Sequence, residues 1–417
     1  MTLPQDILEE ILSHLRFDFP SLKACSLTHS SFLLPSNRLL FAKLKVRDSR
    51  GPPADICFKL QKVLVDSKYM AASIRSLVIS FFWYQEESGT GIFPSLLQLL
   101  PNLHRFFLYL SQANISRFNA GSFPAPRSIS SVRTLILYGI VFDTASQLHS
   151  LLVSFNDLEV ITMDAIWIND AKATTELVPS RQFSCCPSTL ELNVDGSVTE
   201  ALLSPQSTVS VANLCVLSIL ASSVREVSAT SSILSSASSS LEVLTLFLRH
   251  VTKCELIDLR PFSRLRSIHT SLYFESQWAS IDRIPTDWRG PFPWAYPFFK
   301  ALPSSMEDIV IRVVFCPYDA ILLPHFRSDW QELDRILASH PWKLAVRLDI
   351  YVDYNLGYPG IEDYCYYEWS EPGELEEHFR NFLWHEGMPE TNRMGRLHCE
   401  IKKKPAEFSA HMQIREI

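Results

Sequence analysis

One short apolar pattern, L-x-x-L-x-L in its simplest form, recurs along most of the chain and constrains its fold more than any other feature. The central apolar residues of ten such segments are Leu77, Phe106, Leu135, Ile161, Leu190, Leu217, Leu244, Ile268, Ile309 and Leu348. Successive members of this series lie 29, 29, 26, 29, 27, 27, 24, 41 and 39 residues apart. Seven consecutive steps therefore fall between 24 and 29 residues, which predicts a repeat array rather than a set of independent domains.

The period and the pattern resemble the leucine-rich repeat. In that family a short strand and a helical return form a unit that buries its apolar face by stacking on its neighbours. The segments 94–103, 145–155 and 231–241 predict such helical returns. The serine-rich stretch 222–240 would suit a linker, but its Leu and Ile spacing favours a helix within the array. Most units lack the fixed Asn of the family, so we expect an irregular, degenerate solenoid with the shape of a horseshoe.

The long steps in the series contain an insertion, residues 275–305, that is rich in Trp, Pro and Phe. It has two interpretations, a packed Ω-type loop or a contact surface, and packing is the commoner fate of such loops.

The first fifty residues predict three short helices. Leu3, Ile7, Ile11 and Leu15 recur every four residues and form one apolar row on the first helix. Phe19-Pro20 would break the first helix, and Ser21 would cap a second. Pro35-Ser36 would punctuate before a third, Asn37 to Leu44.

The same residues resemble the F-box, in the variant common in fungal proteins. The likeness covers about residues 1–48 and consists of Leu3-Pro4-x-Asp6-Ile7-x3-Ile11-x3-Leu15, Leu22-x2-Cys25-Ser26-Leu27, Phe32 and Arg38-Leu39-Leu40-Phe41. The resemblance implies docking onto a Skp-type adaptor, which connects such proteins to a cullin-RING ubiquitin ligase. The residues that would pack within the motif or touch the adaptor are Leu3, Pro4, Ile7, Ile11, Leu15, Leu22, Cys25 and Phe32.

Two positions depart from the family pattern. Phe32 stands where many members have Trp, and Thr28-His29 stands where Val-Cys is usual. The second departure keeps an alternative open, a non-catalytic repeat scaffold that has lost adaptor binding.

Side chains that flank the buried positions of a strand point to the opposite face of the sheet. On two adjacent units this places Phe107, Tyr109, Ile136 and Tyr138 side by side, as a candidate surface for a protein target. A register slip of one residue would bury all four instead, so both interpretations stand at this point.

The C-terminal region is acidic and rich in tyrosine. Residues 351–390 contain ten acids and one base, and six of the 13 tyrosines lie between 351 and 367. Negative charge beside aromatic rings suits a basic peptide. The favoured interpretation is nevertheless a solvated cap on the last repeat, which an open array needs for solubility.

Composition excludes several classes of function. The net charge of −7 and the lack of a basic stripe argue against nucleic acid as a partner. The absence of a long apolar run argues against a membrane span, and nine cysteines without a C-x-x-C pair suit reduced thiols. Common catalytic and phosphate-binding motifs are absent. Glu374, Glu377, His378 and His385 lie close in sequence but match a solvated helix better than a metal site.

These observations together predict an α/β protein with four parts. Residues 1–48 form the F-box module, 49–70 a linker, 71–350 the repeat solenoid and 351–417 the acidic cap. We expect a cytoplasmic or nuclear substrate receptor with no catalytic residue, metal or cofactor of its own. Its expected partners are the Skp-type adaptor, through it the cullin-RING ligase, and a protein target of unknown identity.

Overall fold

The computed structural model describes twelve stretches of the chain: 4–47, 53–81, 92–110, 131–170, 185–204, 207–221, 224–248, 257–274, 292–315, 326–340, 344–352 and 372–403. The chain divides into two compact units, Met1–Ser210 and Val211–Ile417. We refer to them as unit 1 and unit 2.

Three helices open unit 1: α1 (Gln5–Ser13), α2 (Phe19–Thr28) and α3 (Ser30–Leu40). Asp18, not Ser21, is the N-cap of α2, and its carboxylate accepts hydrogen bonds from the Ser21 N–H at 3.2 Å and the Ser21 hydroxyl at 2.6 Å. Pro20 therefore lies in the first turn of the helix, where the missing N–H costs nothing, and the predicted break at Phe19-Pro20 is wrong.

The third helix also differs from the prediction. α3 begins at Ser30 and continues through Pro35, which is buried, and it ends at Leu40 rather than Leu44. A proline inside a helix removes one backbone hydrogen bond, but it does not always end the helix when it packs into the interior. Leu44 belongs instead to strand β1 (Lys43–Arg47).

The segment predicted as a linker is largely helical where the structure describes it. It contains α4 (Pro53–Asp66) and the start of α5 (Lys68–Ser73). Cys57 and Leu64 of α4 and Ala71 of α5 are buried. Burial raises the pKa of the Cys57 thiol to about 11, as expected for a small apolar core residue.

Unit 1 contains a parallel sheet in which each strand pairs with the next along the chain. Its strands are β1, β2 (Ser76–Phe81), β3 (Arg105–Leu110), β4 (Thr134–Tyr138), β6 (Val160–Asp170) and β7 (Thr189–Val194), and β5 (Val141–Thr144) pairs with β6 outside this series. Its remaining helices are α6 (Ile92–Gln98), α7 (Ala145–Val153) and α8 (Gly196–Leu203).

Unit 2 repeats this arrangement. Its parallel strands are β8 (Val216–Ala221), β9 (Val243–Leu248), β10 (Ser267–Phe274), β11 (Asp308–Phe315), β12 (Ala345–Val352) and β13 (Leu397–Lys403). Its helices are α9 (Val224–Ala237), α10 (Phe292–Lys300), α11 (Arg327–Ser339), α12 (Pro372–Phe382) and α13 (Pro389–Arg393), with a π-helix at Leu383–Gly387 between the last two. Consecutive parallel pairing without reversal of strand order is compatible with a solenoid-like α/β fold.

The repeat pattern predicts the strand register. The central residues are Cα partners in the pairs Leu77–Phe106, Phe106–Leu135, Leu135–Ile161, Ile161–Leu190, Leu217–Leu244, Leu244–Ile268 and Ile268–Ile309. All of these side chains are buried. The prediction fails once, because Ile309 pairs with Val346 and Leu348 pairs with Ile311. A slip of two residues leaves Leu348 on the buried face, so the error does not exchange the faces.

The aromatic insertion is packed where it is described. Residues 275–291 lie outside the described residues, and α10 covers most of the rest. Phe292, Trp294, Phe298 and Phe299 are buried, and the Phe292 ring meets the buried Trp330 ring of α11 edge-on at 5.2 Å. This part of the insertion is thus a return helix with an apolar core rather than a loop or a contact surface.

The serine-rich stretch forms α9, as the spacing of its apolar residues predicts. Val227, Ile233 and Leu234 are buried. The Ser231 and Ser236 hydroxyls donate to carbonyl oxygens four residues earlier, so their polar groups are satisfied within the helix.

The described part of the C-terminal segment adds a further strand rather than only a cap. β13 pairs with β12, and the buried Asp334 of α11 accepts hydrogen bonds from the Glu390 and Thr391 N–H groups at 2.7 and 2.8 Å. The tyrosine-rich segment falls mostly within 353–371, outside the described residues. Along the described stretches, no helix combines the length and the apolar character that a bilayer crossing requires.

Candidate interaction surfaces

Large apolar side chains are exposed mainly at the start of the chain. Of the fourteen such side chains in the described residues, twelve lie between residues 7 and 69. We call this set the N-terminal apolar surface; its members are Ile7, Ile11, Phe17, Phe19, Leu27, Leu33, Leu34, Phe41, Phe58, Val63, Val65 and Tyr69. The other two are Trp167 and Met394. Large contiguous apolar patches on protein surfaces are typical of interaction sites, so this set is a candidate for one.

Helix α1 is apolar on two sides. Leu8 and Leu12 are buried, whereas Ile7 and Ile11 are 45% and 47% exposed. Residues four apart lie on one face of a helix, so each pair forms its own row. The row at Ile7 and Ile11 was visible in the sequence, but the row that holds α1 against its neighbours is the one at Leu8 and Leu12.

The structure separates the other predicted adaptor residues. Leu22 is fully buried and belongs to the helical core. Pro4 is exposed, and Leu15, Cys25 and Phe32 are partly exposed. Leu3 lies outside the described residues. Sequence reasoning missed Phe17, Phe19 and the exposed residues of α4. A single helical row does not reveal a surface to which several helices contribute.

The two polar residues that depart from the F-box pattern form the junction between α2 and α3. The Thr28 hydroxyl donates to the Cys25 carbonyl at 2.8 Å at the end of α2. His29 Nδ1 accepts a hydrogen bond from the Ser31 N–H at 3.2 Å and caps α3. Both residues are exposed, so their polarity serves the turn without placing polar groups in the core.

A second surface lies on the outer face of the unit 1 sheet, opposite the buried row of central residues. Phe107 and Ile136 are Cα partners there, as are Tyr109 and Tyr138. The Tyr109 and Tyr138 ring centroids are 5.8 Å apart, and the Phe107 ring stacks on Tyr109 at 6.5 Å. The structure thus places these four residues, which we call the aromatic patch, on one face. Its three aromatic side chains are partly exposed, while Ile136 is buried between them.

Carboxylates lie beside the aromatic patch on the next two strands. Asp164 follows Tyr138 in the ladder and accepts a hydrogen bond from the Asn193 amide at 2.6 Å. Glu191 accepts one from the Thr162 hydroxyl at 3.0 Å. The sequence analysis missed these two acids, although the predicted register would have placed both on the outer face.

The charge of Asp164 affects the pKa of both tyrosines. Burial, and to a smaller extent the negative charge of Asp164, raise the pKa of Tyr109 to about 12. The same two causes raise the pKa of Tyr138. Both hydroxyls therefore stay protonated at neutral pH, and the rings present a neutral aromatic surface beside a carboxylate.

Two backbone positions with positive φ border the patch. Gly139, with φ of 69°, directly follows Tyr138, and its N–H donates to the Asp164 carbonyl at 3.0 Å. Ala165, with φ of 53°, follows Asp164 at a bulge where the β6–β7 register shifts. Bulges of this type redirect the side chains around them.

On the outer face of unit 2, the side chain of Arg312 lies close to two aromatic rings. The Arg312 guanidinium lies 4.6 Å from the Phe247 ring centroid and 5.5 Å from that of Tyr351. Asp349 is the Cα partner of Arg312, is buried, and pairs with Arg347 at 3.4 Å. Within unit 2 the sheet thus brings a guanidinium, two aromatic rings and a carboxylate together.

The described residues include no group of three His, Cys, Asp or Glu side chains arranged to hold a metal ion. Comparison with models of known protein families found no match, and a search of curated proteins found no significant similarity.

Proposed function

We propose that this chain is the substrate-recognition subunit of an SCF-type (Skp-cullin-F-box) ubiquitin ligase. Helices α1–α3 would act as the F-box and bind the Skp-type adaptor. The parallel strands would belong to irregular leucine-rich repeats that hold a protein target. Ubiquitin transfer would be done by other subunits, in the cytoplasm or the nucleus, and no residue here would be catalytic.

This proposal rests on the apolar side chains of the first three helices, some of which pack in the helical core while others stay exposed. Leu8, Leu12 and Leu22 hold the helices together, while Ile7 and Ile11 stay exposed on α1. A helical cap serving only the following strands would turn its apolar rows inward. An outward apolar row on a small helical module is what docking onto a partner requires.

Charged side chains also lie exposed on α1 and α3. The ion pair between Arg38 and Glu9, at 3.1 Å, joins α3 to α1 at the surface and is worth little by itself. The energy of association would therefore come from apolar contact, with exposed side chains such as Phe19 and Leu27 acting as anchors.

Co-expression with a Skp-type adaptor tests the proposal. The wild-type chain should co-purify with the adaptor, and the double variant Ile7→Glu/Ile11→Glu should not. Both substitutions are on exposed positions, so the variant should unfold at the same denaturant concentration as the wild type. Failure of a well-folded wild-type chain to bind the adaptor would contradict the proposal.

The alternative function is a repeat scaffold without adaptor binding. Thr28 and His29 suggested it, but both have local roles at the junction of α2 and α3. The scaffold would become the better explanation if the co-expression experiment fails while the outer sheet face still captures a target.

A further inference from the structure

We propose that the outward face of β1, β2 and β3 in unit 1 binds an extended acidic segment of the target, in which Asp or Glu side chains alternate with neutral ones. We call this site the basic face; its cations are Lys43, Lys45, Arg47 and Arg105. The inference rests on the proposed function, because it names the chemistry of the target that the repeats would hold. It is testable without any adaptor.

Positive charge is concentrated on the outward positions of these three strands. They are Lys43, Lys45, Arg47, Ser76, Val78, Ser80, Arg105, Phe107 and Tyr109. Four of these nine residues are Lys or Arg, and none is an acid. All four bases are exposed, and none of them forms an ion pair within the part of the chain that the structure describes. The basic face therefore offers four cations to a ligand.

The charges around the basic face set its limits. Arg133, just before β4, is paired with Glu159 at 3.0 Å and is not counted as part of the site. Asp164 lies in the same cross-strand row as Arg47, but four strands away, or about 19 Å. Surface charges at such a distance are largely screened at physiological salt. The cations of β1 thus act on a ligand with little opposition from acids further along the sheet.

The spacing of the cations on β1 suits an extended chain. Lys43, Lys45 and Arg47 alternate with inward residues, so they repeat about every 7 Å along the strand. An extended ligand presents every second side chain to one face with the same repeat. Glu residues at alternate positions of the ligand can therefore each meet one cation, as opposite charges do on paired strands.

Strands β2 and β3 add a second contact. Lys43, Ser76 and Arg105 are consecutive Cα partners in one row across the three strands. Neighbouring strands lie about 4.8 Å apart, so the two cations flank Ser76 with about 10 Å between their Cα atoms. A carboxylate above Ser76 can accept a hydrogen bond from its hydroxyl and lie between the two positive charges.

Protection of a sheet edge does not explain the whole set of bases. Lysines on an edge strand discourage pairing with other chains, and in the described residues β1 pairs with β2 alone. Arg105, however, lies on β3, two strands inside this edge, where such protection is not needed. The positive charge therefore extends over a face that a ligand can cover.

The length of the occupant follows from the charge of the whole chain. Its net charge of −7 would repel a long polyanion such as nucleic acid, which reaches far beyond three strands. A short acidic segment meets mainly the local positive field of the basic face. An acidic stretch of a protein target thus fits the site better than nucleic acid does.

The test is peptide binding to the full chain, read by fluorescence anisotropy at about 150 mM salt. The probe is a fluorescein-labelled peptide of four Glu-Thr repeats, and the neutral control has four Gln-Thr repeats. A third peptide has the composition of the probe but carries four Glu followed by four Thr. We expect the probe to bind about tenfold more tightly than the Gln peptide and about threefold more tightly than the block peptide.

Paired variants locate the site. Lys43→Gln/Lys45→Gln should weaken binding of the probe about fivefold, whereas Lys43→Arg/Lys45→Arg keeps both charges and should bind like the wild type. The matched control is Lys59→Gln/Lys62→Gln, which removes two exposed charges from α4 in the same unit. All of these positions are exposed, so each variant should unfold at the same denaturant concentration as the wild type.

Equal binding of the Glu-Thr and Gln-Thr peptides would overturn the proposal. So would an equal effect of the two Gln double variants, because net charge alone would then explain the binding. Equal binding of the probe and the block peptide would also overturn it, because the strand spacing would then play no part. Tighter binding of a labelled oligothymidylate of the same charge would assign the face to nucleic acid instead.

The same measurements separate this site from the proposed function. A chain that binds the adaptor but not the Glu-Thr probe would refute the basic face alone. A chain that binds the probe but no adaptor would refute the proposed function alone.

Discussion

Tyr109 and Tyr138 occupy paired positions on neighbouring strands, with their ring centroids 5.8 Å apart on the outer face of the unit 1 sheet. Residues one position away on the same strands, Leu108 and Leu137, are fully buried on the other face. Adjacent side chains of one strand therefore have different tasks. Those on one face hold the sheet to its helices, and those on the other are available to a partner.

Phe106 and Phe107 test this division directly. Phe106 is fully buried, and its ring centroid lies 6.3 Å from that of Phe155, whereas Phe107 is partly exposed. Phe106→Ala should lower the free energy of unfolding by about 3–5 kcal/mol, because it leaves a cavity in the core. Phe107→Ala should cost only about 1 kcal/mol. Urea denaturation measures both, and equal losses would show that the faces have been assigned wrongly.

Gly139→Ala should lower the stability of the protein, and Ala165→Gly should raise it. Gly139 has φ of 69°, so Gly139→Ala forces a side chain into the left-handed region and should cost about 1–2 kcal/mol. Ala165 already has φ of 53°. Ala165→Gly should therefore stabilise the protein by about 0.5–1 kcal/mol, after the greater freedom of glycine in the unfolded chain is subtracted. Thermal unfolding of the two variants checks the signs, and a loss of stability in Ala165→Gly would contradict the expectation.

Asp334 secures the C-terminal end of unit 2 by accepting two hydrogen bonds at the start of α13. Asp334→Ala would leave the Glu390 and Thr391 N–H groups without this acceptor and should cost about 2–4 kcal/mol. Asp334→Asn keeps one acceptor oxygen and should cost roughly half as much. The two variants are compared by urea denaturation followed by circular dichroism. A loss below about 1 kcal/mol in the alanine variant would show that these bonds add little to stability.

Buried His149 predicts a pH dependence of stability. Burial lowers its imidazole pKa below the usual 6.5, and an opposing interaction with the Ala201 backbone is smaller. The ring nitrogens make no hydrogen bond of normal geometry within the described residues, so this opposing interaction is weak. The unfolded chain thus binds a proton at a higher pH than the folded chain does. The stability contributed by neutral His149 is present above about pH 6.5 and falls as the pH drops towards the lowered folded pKa.

The variant His149→Leu removes this titration and isolates its effect. Between pH 8 and pH 5, the difference in unfolding free energy between the variant and the wild type should grow in favour of the variant. Denaturation curves at four pH values give this difference. A difference that is constant across the range would mean that folding does not shift the pKa of His149.

The sequence predicts the strand register of both units well, for a physical reason. Buried positions such as Leu135 and Ile161 recur with the strands, and stacking requires that they pair. The strands that were missed, β1, β5 and β13, carry the sequences KLKVR, VFDT and LHCEIKK, which lack the full apolar pattern. The pattern aligns Leu348 with Ile309 wrongly, because a slip of two residues keeps every side chain on its own face.

Features that depend on tertiary contacts were harder to predict. Pro35-Ser36 has the sequence pattern of a helix boundary, but Pro35 is buried within α3. Ile7 and Ile11 were identified as an apolar row, yet only the packing of Leu8 and Leu12 shows that this row faces outward. Asp164 and Glu191 were not recognised, since a single carboxylate in a strand gives no signal until its neighbours on the adjacent strands are known.

The most direct test of the central claim is the affinity of the full chain for a purified Skp-type adaptor, measured by isothermal titration calorimetry. Ile11→Glu should weaken binding by at least a hundredfold, because it places a charge in an apolar contact. Met394→Glu is the matched control, since Met394 is 50% exposed in unit 2 and Ile11 is 47% exposed on α1. Nearly unchanged affinity in Met394→Glu with loss in Ile11→Glu is the predicted result. No heat of binding to a folded wild-type chain, or equal affinity of both variants, would contradict the claim that these helices dock onto the adaptor.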